Sequence, residues 1–364
     1  MSEDVYFKLG ERLNENPMKM LLIEPYLNIL REFYTEEQAT LGANFPLGAH
    51  KARDLAKELN RDEKELTELL EDMADNGLIF VAKTDDGESE YSLIQFVPGV
   101  VEFQLMRGMD TPKDRKIARM LDDFLEGEMG KLMGEVMKDP ETAKQMMPNA
   151  AVRTITVERE LPAGKEIYPY EKVTELVERE DSFAVAKCYC RHHAYLVDEP
   201  CKVEGVPDYS CLWFGKVADY IVDRKFGKRI SKEECLEIVK ATEDAGLIHN
   251  AGNALDQTVA MCNCCGCCCG FLKMMKKFEN YSVVAYSNFE VAIDAETCSG
   301  CGDCIDRCQV GALDLSGEVV TVDKDRCMGC GNCVTVCPTE SLSMVRRKHE
   351  EPPVIGDTFA GLGV

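Results

Sequence analysis

Two stretches near the carboxyl end of the chain share one cysteine spacing: CSGCGDCIDRC at residues 298–308 and CMGCGNCVTVC at residues 327–337. Each reads C-x2-C-x2-C-x3-C, and the second follows the first by 29 residues. The repeated spacing indicates an internal duplication. It also decides the fold of this part of the chain, because thiols at these intervals are the ligand pattern of iron–sulfur clusters.

The spacing predicts how the eight cysteines divide between two [4Fe-4S] clusters. In such runs the first three thiolates bind one cluster and the fourth reaches across to the other. The two expected ligand sets are Cys298, Cys301, Cys304 and Cys337, and Cys327, Cys330, Cys333 and Cys308. A zinc ribbon would instead use paired C-x2-C knuckles with a longer spacer and no cross-ligand. The spacing therefore favours clusters over zinc.

These eight cysteines resemble those of the bacterial two-[4Fe-4S] ferredoxins over roughly Val291 to Val345. The resemblance implies a ferredoxin-like domain of two related ββα halves that holds two clusters and transfers single electrons. One position departs from the pattern, because Gln309 rather than proline follows the first run, whereas Pro338 follows the second. The change removes no ligand.

A second cysteine-rich segment lies in the middle of the chain, MCNCCGCCCG at residues 261–270. It carries six cysteines, and four more lie upstream at residues 188–211. We interpret all ten as metal ligands, because neither packing nor a turn requires such a density of thiols. The ten are Cys188, Cys190, Cys201, Cys211, Cys262, Cys264, Cys265, Cys267, Cys268 and Cys269.

The sequence leaves the nature of the central metal centre open. Ten thiols could hold two further [4Fe-4S] clusters, one less ordinary cluster, or a cluster together with zinc. We expect residues 262–270 to form a ligand loop. Adjacent cysteines in it, such as Cys264 and Cys265, project differently, so some of them should face a second centre or a substrate.

The upstream cysteines lie beside other polar and aromatic residues. On a predicted strand Cys188 and Cys190 would point to one face, whereas Cys201 and Cys211 are expected on loops. Trp213 and Phe214 are expected to shield the metal centre rather than to form a substrate platform. The three residues after Cys190 could orient an anion, relay protons or bind metal, but hydrogen bonding around the ligands is the simpler role. They are Arg191, His192 and His193.

The first 150 residues are predicted to be mostly helical. Within them, residues 49–97 resemble a winged helix, with helices at Ala52–Leu59 and Asp62–Asn76 followed by a hairpin. The segment from Arg61 to Asn76, which would be the recognition helix, carries seven acidic residues and two basic ones. DNA binding depends on cations that face phosphates, so we predict a docking module instead.

The sequence as a whole predicts an α+β protein of three parts and a tail. The ranges are 1–150 for the helical region, 151–290 for a cysteine-rich α+β central domain, 291–346 for the ferredoxin-like domain and 347–364 for an extended tail. In the central domain we predict strands at Val152–Glu158 and Phe183–Cys190 and a helix at Tyr170–Arg179. Ser231 should begin a further helix with a capping box, and Cys235 should lie buried in it.

Charge and hydropathy restrict the compartment and the partners. The formal net charge is -23, which disfavours nucleic acid and anionic lipid and favours basic patches on protein partners. The apolar runs are too short to span a membrane, and the amino terminus lacks the pattern of an export signal. We therefore predict a cytoplasmic protein, with clusters that need anaerobic conditions.

With the central cysteines included, the chain is similar to anaerobe 4Fe-4S dicluster proteins. The similarity rests on Cys188-Tyr-Cys190-Arg191, on residues 262–270 and on the eight terminal cysteines. It supports the cluster assignment and names no reaction.

Three functions follow as hypotheses. The first is an electron-transfer protein or subunit of an anaerobic oxidoreductase complex, served by a redox partner such as a soluble oxidoreductase or flavoprotein. The alternatives are an iron–sulfur reductase acting at the central centre and, less favoured, a redox-sensing regulator. No nucleotide-binding or hydrolase motif occurs, so we expect the electrons to come from another protein. Whether the chain is itself an enzyme stays open, as does assembly into homo- or hetero-oligomers.

Overall fold

The structure, a computed structural model, describes residues 4–16, 18–146, 150, 152–163, 167–255, 258–278, 284–347 and 349–354. Helices and strands are mixed in these ranges, which agrees with the α+β class. None of the helices described there combines the length and apolar character that a membrane crossing needs. Of the predicted tail, residues 349–354 form neither helix nor strand, and residues 355–364 lie outside the described residues.

The amino-terminal region is mostly helical, as predicted. Its helices are α1 (Val5–Leu13), α2 (Glu24–Phe33), α3 (Glu36–Ala43), α4 (Ala52–Glu58), α5 (Glu63–Asp75), α6 (Val101–Leu105), α7 (Pro112–Glu126), α8 (Glu128–Met137) and α9 (Pro140–Met146). Its strands are β1 (His50–Lys51), β2 (Ile79–Lys83) and β3 (Ser89–Leu93), which form a sheet in the order β1-β3-β2. The helix, helix and hairpin lie where the sequence placed them, and the winged-helix class itself stays a prediction.

The central part is built on a seven-stranded sheet. Its strands are β4 (Val152–Ile155), β5 (Phe183–Lys187), β6 (Tyr209–Phe214), β7 (Gly227–Arg229), β8 (Ile248–Gly252), β9 (Ala260–Cys264) and β10 (Val284–Ala285). Their order in space is β10-β4-β8-β9-β6-β5-β7, with only β10 and β4 parallel. The helices are α10 (Val173–Glu178), α11 (Tyr189–Leu196), α12 (Gly215–Asp223), α13 (Lys232–Asp244) and α14 (Gly270–Phe278).

The two faces of this sheet bury different side chains because residues alternate along each strand. On β6, Leu212 and Phe214 pack into the core formed with α10 and α13. Cys211 and Trp213 belong to the core that contains the amino-terminal helices. The amino-terminal region thus covers the sheet face that carries cysteines.

Several predicted boundaries shift. The strand predicted to end at Glu158 stops at Ile155, and α10 begins at Val173 after a single 3-10 turn over Pro169–Glu171. The capping box at Ser231 is confirmed, and Cys235 lies buried in α13.

One boundary change matters for the site, because β5 ends at Lys187 instead of Cys190. Its pairing with β6 becomes irregular between Ala186 and Lys187. Cys188 then adopts the extended conformation of an N-cap and α11 follows, so that Cys190 lies in the first helical turn. The prediction that Cys188 and Cys190 share one face of a strand is therefore wrong.

The carboxyl-terminal part consists of two similar halves. Its elements are β11 (Phe289–Ile293), α15 (Asp303–Arg307), β12 (Leu313–Ser316), β13 (Val319–Val322), a 3-10 turn (Val334–Val336) and β14 (Leu342–Arg346). Each half runs from a strand through a cysteine run and a short helix to a second strand. The halves are joined by antiparallel pairing of β11 with β14 and of β12 with β13.

The acidic helix α5 docks on the central part. Arg224, at the end of α12, contacts Glu71 at 2.8 Å and Asp75 at 2.7 Å. The buried Tyr220 hydroxyl of α12 donates to the carbonyls of Ala74 and Ile79. Two acids of the supposed recognition segment are therefore engaged within the chain, which fits a docking role.

Gly77 closes α5 at this junction. Its φ of +69° lies in the left-handed region that favours glycine. A Cβ at this position would lie 2.4 Å from Phe103 Cβ and 3.1 Å from the Phe226 ring. The backbone therefore packs directly against two aromatic side chains.

We expect Gly77→Ala to lower the free energy of unfolding more than Gly87→Ala. Gly87 also has a positive φ, +81°, but among the described residues nothing beyond its chain neighbours lies within 4 Å of its Cβ position. Left-handed strain costs about 1–2 kcal/mol at either site, and overlap with Phe103 adds about 1–3 kcal/mol at Gly77 alone. Chemical denaturation followed by fluorescence of Trp213, the single tryptophan, measures both variants. Equal losses would show that residue 77 has room for a methyl group.

Candidate metal centres

The first predicted set of terminal ligands lines one small cavity. These residues are Cys298, Cys301, Cys304 and Cys337. The last cysteine of the second run thus joins the first three of the first run, as crosswise ligation requires. Backbone amides of Val320 and Gly300 lower the pKa of Cys298, which favours the thiolate form that binds metals.

The second set lines a separate cavity. These residues are Cys308, Cys327, Cys330 and Cys333. Burial raises the pKa of Cys330 to about 12 and also raises the pKa of Cys333. Thiols in this environment stay protonated unless a metal ion replaces the proton. Both sets therefore have the arrangement and chemistry that a metal–sulfur cluster needs.

The two sets differ in their surroundings. Cys301 of the first set is exposed. The second set lies against the central part, where the Val157 amide donates to Cys330 O at 2.8 Å. Nearby, the Asn332 side chain donates to Leu247 O at 3.0 Å. The first set is accessible from solvent, and the second faces the sheet.

Gln309 links the terminal part to the central cysteine segment. Its side-chain oxygen accepts a hydrogen bond from the Gly266 amide at 2.8 Å. A Cβ on Gly266 would lie 1.9 Å from the Gln309 carbonyl oxygen, so only glycine permits this approach. Gln309 directly follows Cys308, and Gly266 lies between Cys265 and Cys267. The residue that departs from the ferredoxin pattern thus joins two cysteine groups.

The central cysteines lie on strands as well as on loops. Because Leu212 pairs with Met261 in antiparallel strands, the next residues, Cys211 and Cys262, are cross-strand neighbours. Cys264 lies two residues beyond Cys262 and shares its face. The prediction of a loop at Cys211 is wrong, because β6 has paired strands on both sides, β5 and β9.

Seven of these thiols line one apolar cavity of about 120 Å³, and six of the seven belong to no second group of thiols. These six are Cys188, Cys190, Cys211, Cys262, Cys264 and Cys269, and the cavity is called the six-thiol cavity below. Contact with Cys262, together with burial, raises the pKa of Cys264. Because ionising several of these thiols would crowd buried negative charge, they can ionise together only if cations bind beside them.

The other four thiols form a compact group, called the four-thiol group below. These residues are Cys201, Cys265, Cys267 and Cys268, whose sulfur atoms all lie within 4.8 Å of one another. Cys201 Sγ is 3.6 Å from Cys265 Sγ and 3.7 Å from Cys267 Sγ. Cys201 lies on a loop, as predicted. Cys265 also lines the six-thiol cavity, so the two groups adjoin.

The central segment is therefore only partly the predicted ligand loop. Residues 262–264 belong to β9, and residues 266–268 form a turn. Cys264 contributes to the six-thiol cavity and Cys265 to the four-thiol group. The expectation that some adjacent cysteines serve different centres agrees with Cys264 and Cys265. The adjacent Cys267 and Cys268, which were expected to project differently, both belong to the four-thiol group.

Arg191 supplies positive charge between the two groups. Its guanidinium donates to Asn263 O at 3.0 Å and to Ser210 Oγ. Burial alone would lower the pKa of Arg191, but the thiols of Cys188 and Cys265 raise it. Arg191 thus fits the predicted role beside the ligands and remains charged.

The two adjacent histidines point elsewhere. His192 Nε2 donates to Met109 O at 2.8 Å, and His193 Nε2 donates to Ala118 O at 2.9 Å. Burial lowers the pKa of both rings. Their contacts hold α11 against the amino-terminal region, which favours packing over metal ligation.

Glu102 lines the six-thiol cavity and was missed by sequence reasoning. It lies on α6, and its carboxylate accepts a hydrogen bond from the Gly99 amide at 2.6 Å. Burial raises the pKa of Glu102 to about 7. No motif surrounds this residue, and only the packing of α6 on the sheet reveals it. Trp213 lines the same cavity, in agreement with its expected shielding role. Phe214 packs on the opposite face of the sheet with α10 and α13, so the prediction that it shields the centre is wrong.

Comparison with known proteins bears on the carboxyl-terminal part. A search of the curated proteins and a search of the solved structures gave no match. Residues 291–344 match the family model of the 4Fe-4S dicluster domain, a range that contains both terminal cysteine runs. The match confirms the prediction of iron–sulfur clusters in this segment, while their number and individual ligands stay predictions.

Proposed function

We propose that this protein is an iron–sulfur electron carrier, acting alone or as a subunit of an anaerobic oxidoreductase complex. The observation that carries the proposal is the contact of Gln309 with Gly266. It connects a segment that matches a 4Fe-4S dicluster domain to a second, cysteine-lined centre. Clusters bound there would supply one-electron redox chemistry.

The surroundings of the two terminal sets suggest a direction. The exposed Cys301 marks the side on which a redox partner can approach. On the opposite side, Cys308 is followed by Gln309, whose side chain reaches the turn between Cys265 and Cys267. The chain itself therefore provides a short connection from a solvent-facing site to a buried one. A net charge of -23 favours a partner with a basic docking surface.

The crosswise ligand scheme predicts which variants resemble each other. Cys337→Ala should lose the same cluster as Cys301→Ala, although the two residues belong to different runs. Cys308→Ala should likewise match Cys330→Ala. Iron analysis of anaerobically purified protein should show a loss of about four irons in each variant, and EPR should show which cluster signal persists.

Cys235→Ala is the control for these variants, since Cys235 is buried in α13 away from the cysteine groups. If Cys337→Ala instead matched Cys330→Ala, each run would bind its own cluster and the crosswise scheme would be wrong. Unchanged iron in all four ligand variants would sink the electron-carrier proposal.

Gln309→Ala should slow electron transfer from the terminal part to the central centre several-fold without changing iron content. It removes the acceptor of the Gly266 hydrogen bond, while Gln309→Glu keeps an oxygen there and serves as the matched control. Rapid-freeze EPR after mixing with a reductant would follow the order in which signals appear. Equal rates in wild type and Gln309→Ala would exclude this connection as the route.

A second candidate, an iron–sulfur reductase, is favoured by Glu102. Among the described residues it is the one carboxyl group that lines the six-thiol cavity, alongside Tyr189, Arg191 and the thiols. A carboxyl group placed there can take a proton from solvent when an external donor delivers an electron, and can then protonate a bound substrate. A simple electron carrier does not need such a group.

Glu102→Gln should remove the pH dependence of the central centre's midpoint potential. Because the Glu102 carboxyl is protonated below its raised pKa of about 7, the wild-type potential should be level at lower pH. At higher pH it should fall by up to about 59 mV per pH unit. Glu180→Gln is the control, since burial also raises the pKa of Glu180 outside the cavity. EPR-monitored redox titration at several pH values measures this potential. If the wild-type midpoint potential did not change with pH, coupling of electron transfer to protonation of Glu102 would be excluded.

A further inference from the structure

We propose that Cys201, Cys265, Cys267 and Cys268 bind a single zinc ion, separate from the iron–sulfur centres. This assignment does not depend on the proposed electron-transfer function. It resolves the ten central cysteines into a four-thiol metal site and a six-thiol cavity.

The spacing of the sulfur atoms is that of a single tetrahedral ion. Four sulfurs about 2.3 Å from a zinc ion are about 3.8 Å from one another. The observed distances are 3.6 Å for Cys201–Cys265, 3.7 Å for Cys201–Cys267 and 3.6 Å for Cys267–Cys268. A [4Fe-4S] cube places its thiolates farther apart, because each is bound to a different corner iron.

The terminal cysteines provide an internal comparison. In the part of the chain that the structure describes, the four-thiol group is the one set of three or more potential metal ligands whose ligand atoms all lie within 4.8 Å of one another. Neither terminal set, in the segment that matches a 4Fe-4S domain, is contracted in this way. The six-thiol cavity is not contracted either. The chain thus holds thiols in two arrangements, and the compact one suits a single ion.

The surroundings favour a closed structural site. Cys265 and Cys268 are buried in a small cluster with Ala194 and Leu247, and Cys201 and Cys267 are half-buried. Four thiolates fill every position of a tetrahedral ion, which leaves none for a substrate. Two further contacts suit thiolates, because the amides of Lys202 and Val203 hydrogen-bond to Cys267 and Cys201. Amide donors of this kind stabilise metal-bound sulfur.

Zinc fits this site better than a lone iron. Tetrahedral sites of four sulfurs accept either metal, but at equal availability divalent zinc binds more tightly than divalent iron. Four thiolates around Zn²⁺ leave a net charge of about two negative units. Two cations of the chain lie at the site to offset it, since Arg191 interacts with Cys201 and Cys265 and Lys276 donates to Gly266 O.

The zinc ion would fix the turn that contacts the terminal part. Cys265 and Cys267 flank Gly266, the residue that donates to Gln309. Cys201 comes from a distant loop, so the ion would tie that loop to the turn. Zinc binding should therefore order the junction between the central and terminal parts.

The test is metal analysis of the anaerobically purified full chain. We expect about one zinc per chain in addition to iron, and zinc X-ray absorption should show four sulfur neighbours at about 2.3 Å. Cys201→Ala should lose most of the zinc and keep the terminal cluster signals, and hydrogen exchange of the Gly266 amide should accelerate. Cys211→Ala, on the six-thiol cavity, should keep its zinc.

Three outcomes would overturn the proposal. One is a wild-type protein that contains no zinc, or one isolated iron in its place. Another is zinc lost equally in Cys211→Ala and Cys201→Ala, because the division into two groups would then be wrong. The third is zinc surrounded by fewer than four sulfur atoms. The absorption measurement uses wild-type protein, so it decides the question even if a variant fails to fold.

Discussion

The structure depends on one electrostatic constraint, that thiols buried together can ionise only if cations replace their protons. Eleven cysteines lie in the central part, and all but Cys235 belong to the two cysteine groups. Of these, Cys190 and Cys211 pack against the amino-terminal region. Among the described residues lining the six-thiol cavity, the chain supplies one cation, Arg191. One guanidinium cannot neutralise so many thiolates, so we expect the folding of this part to be coupled to the binding of metal ions. Residues of the amino-terminal region line the cavity, so they would exclude water from a centre bound there.

A close contact also joins the terminal and central parts. A contact between Gly266 and Gln309 leaves no room for a side chain on the glycine. The ferredoxin pattern has proline after the last cysteine of a run, and a proline side chain could not accept the Gly266 hydrogen bond. Glutamine in place of proline at position 309 leaves the cluster ligands unchanged. Its presence is explained by the hydrogen bond that it accepts from Gly266.

The sequence predicts a group of metal ligands best when the ligands lie close together along the chain. In the terminal part, Cys298 through Cys308 lie within one short run, so the spacing alone identified the sets that line each cavity. The central sets combine distant segments, and their division depends on packing. The strand expected through Cys190 ended early because its pairing with β6 became irregular. Glu102 lies far from any cysteine in the sequence, and no local pattern could have connected it to the cavity.

The central segment can place six cysteines within eight residues because it lies at the end of a strand. Along β9, the two-residue period places Cys262 and Cys264 on one face, toward the six-thiol cavity. Cys265 lies where the two groups adjoin, and the turn at Gly266 brings Cys267 and Cys268 beside it. Cys269 lies past the turn and again lines the cavity. A few consecutive residues can therefore serve two centres, because the strand and the turn orient neighbouring side chains in different directions.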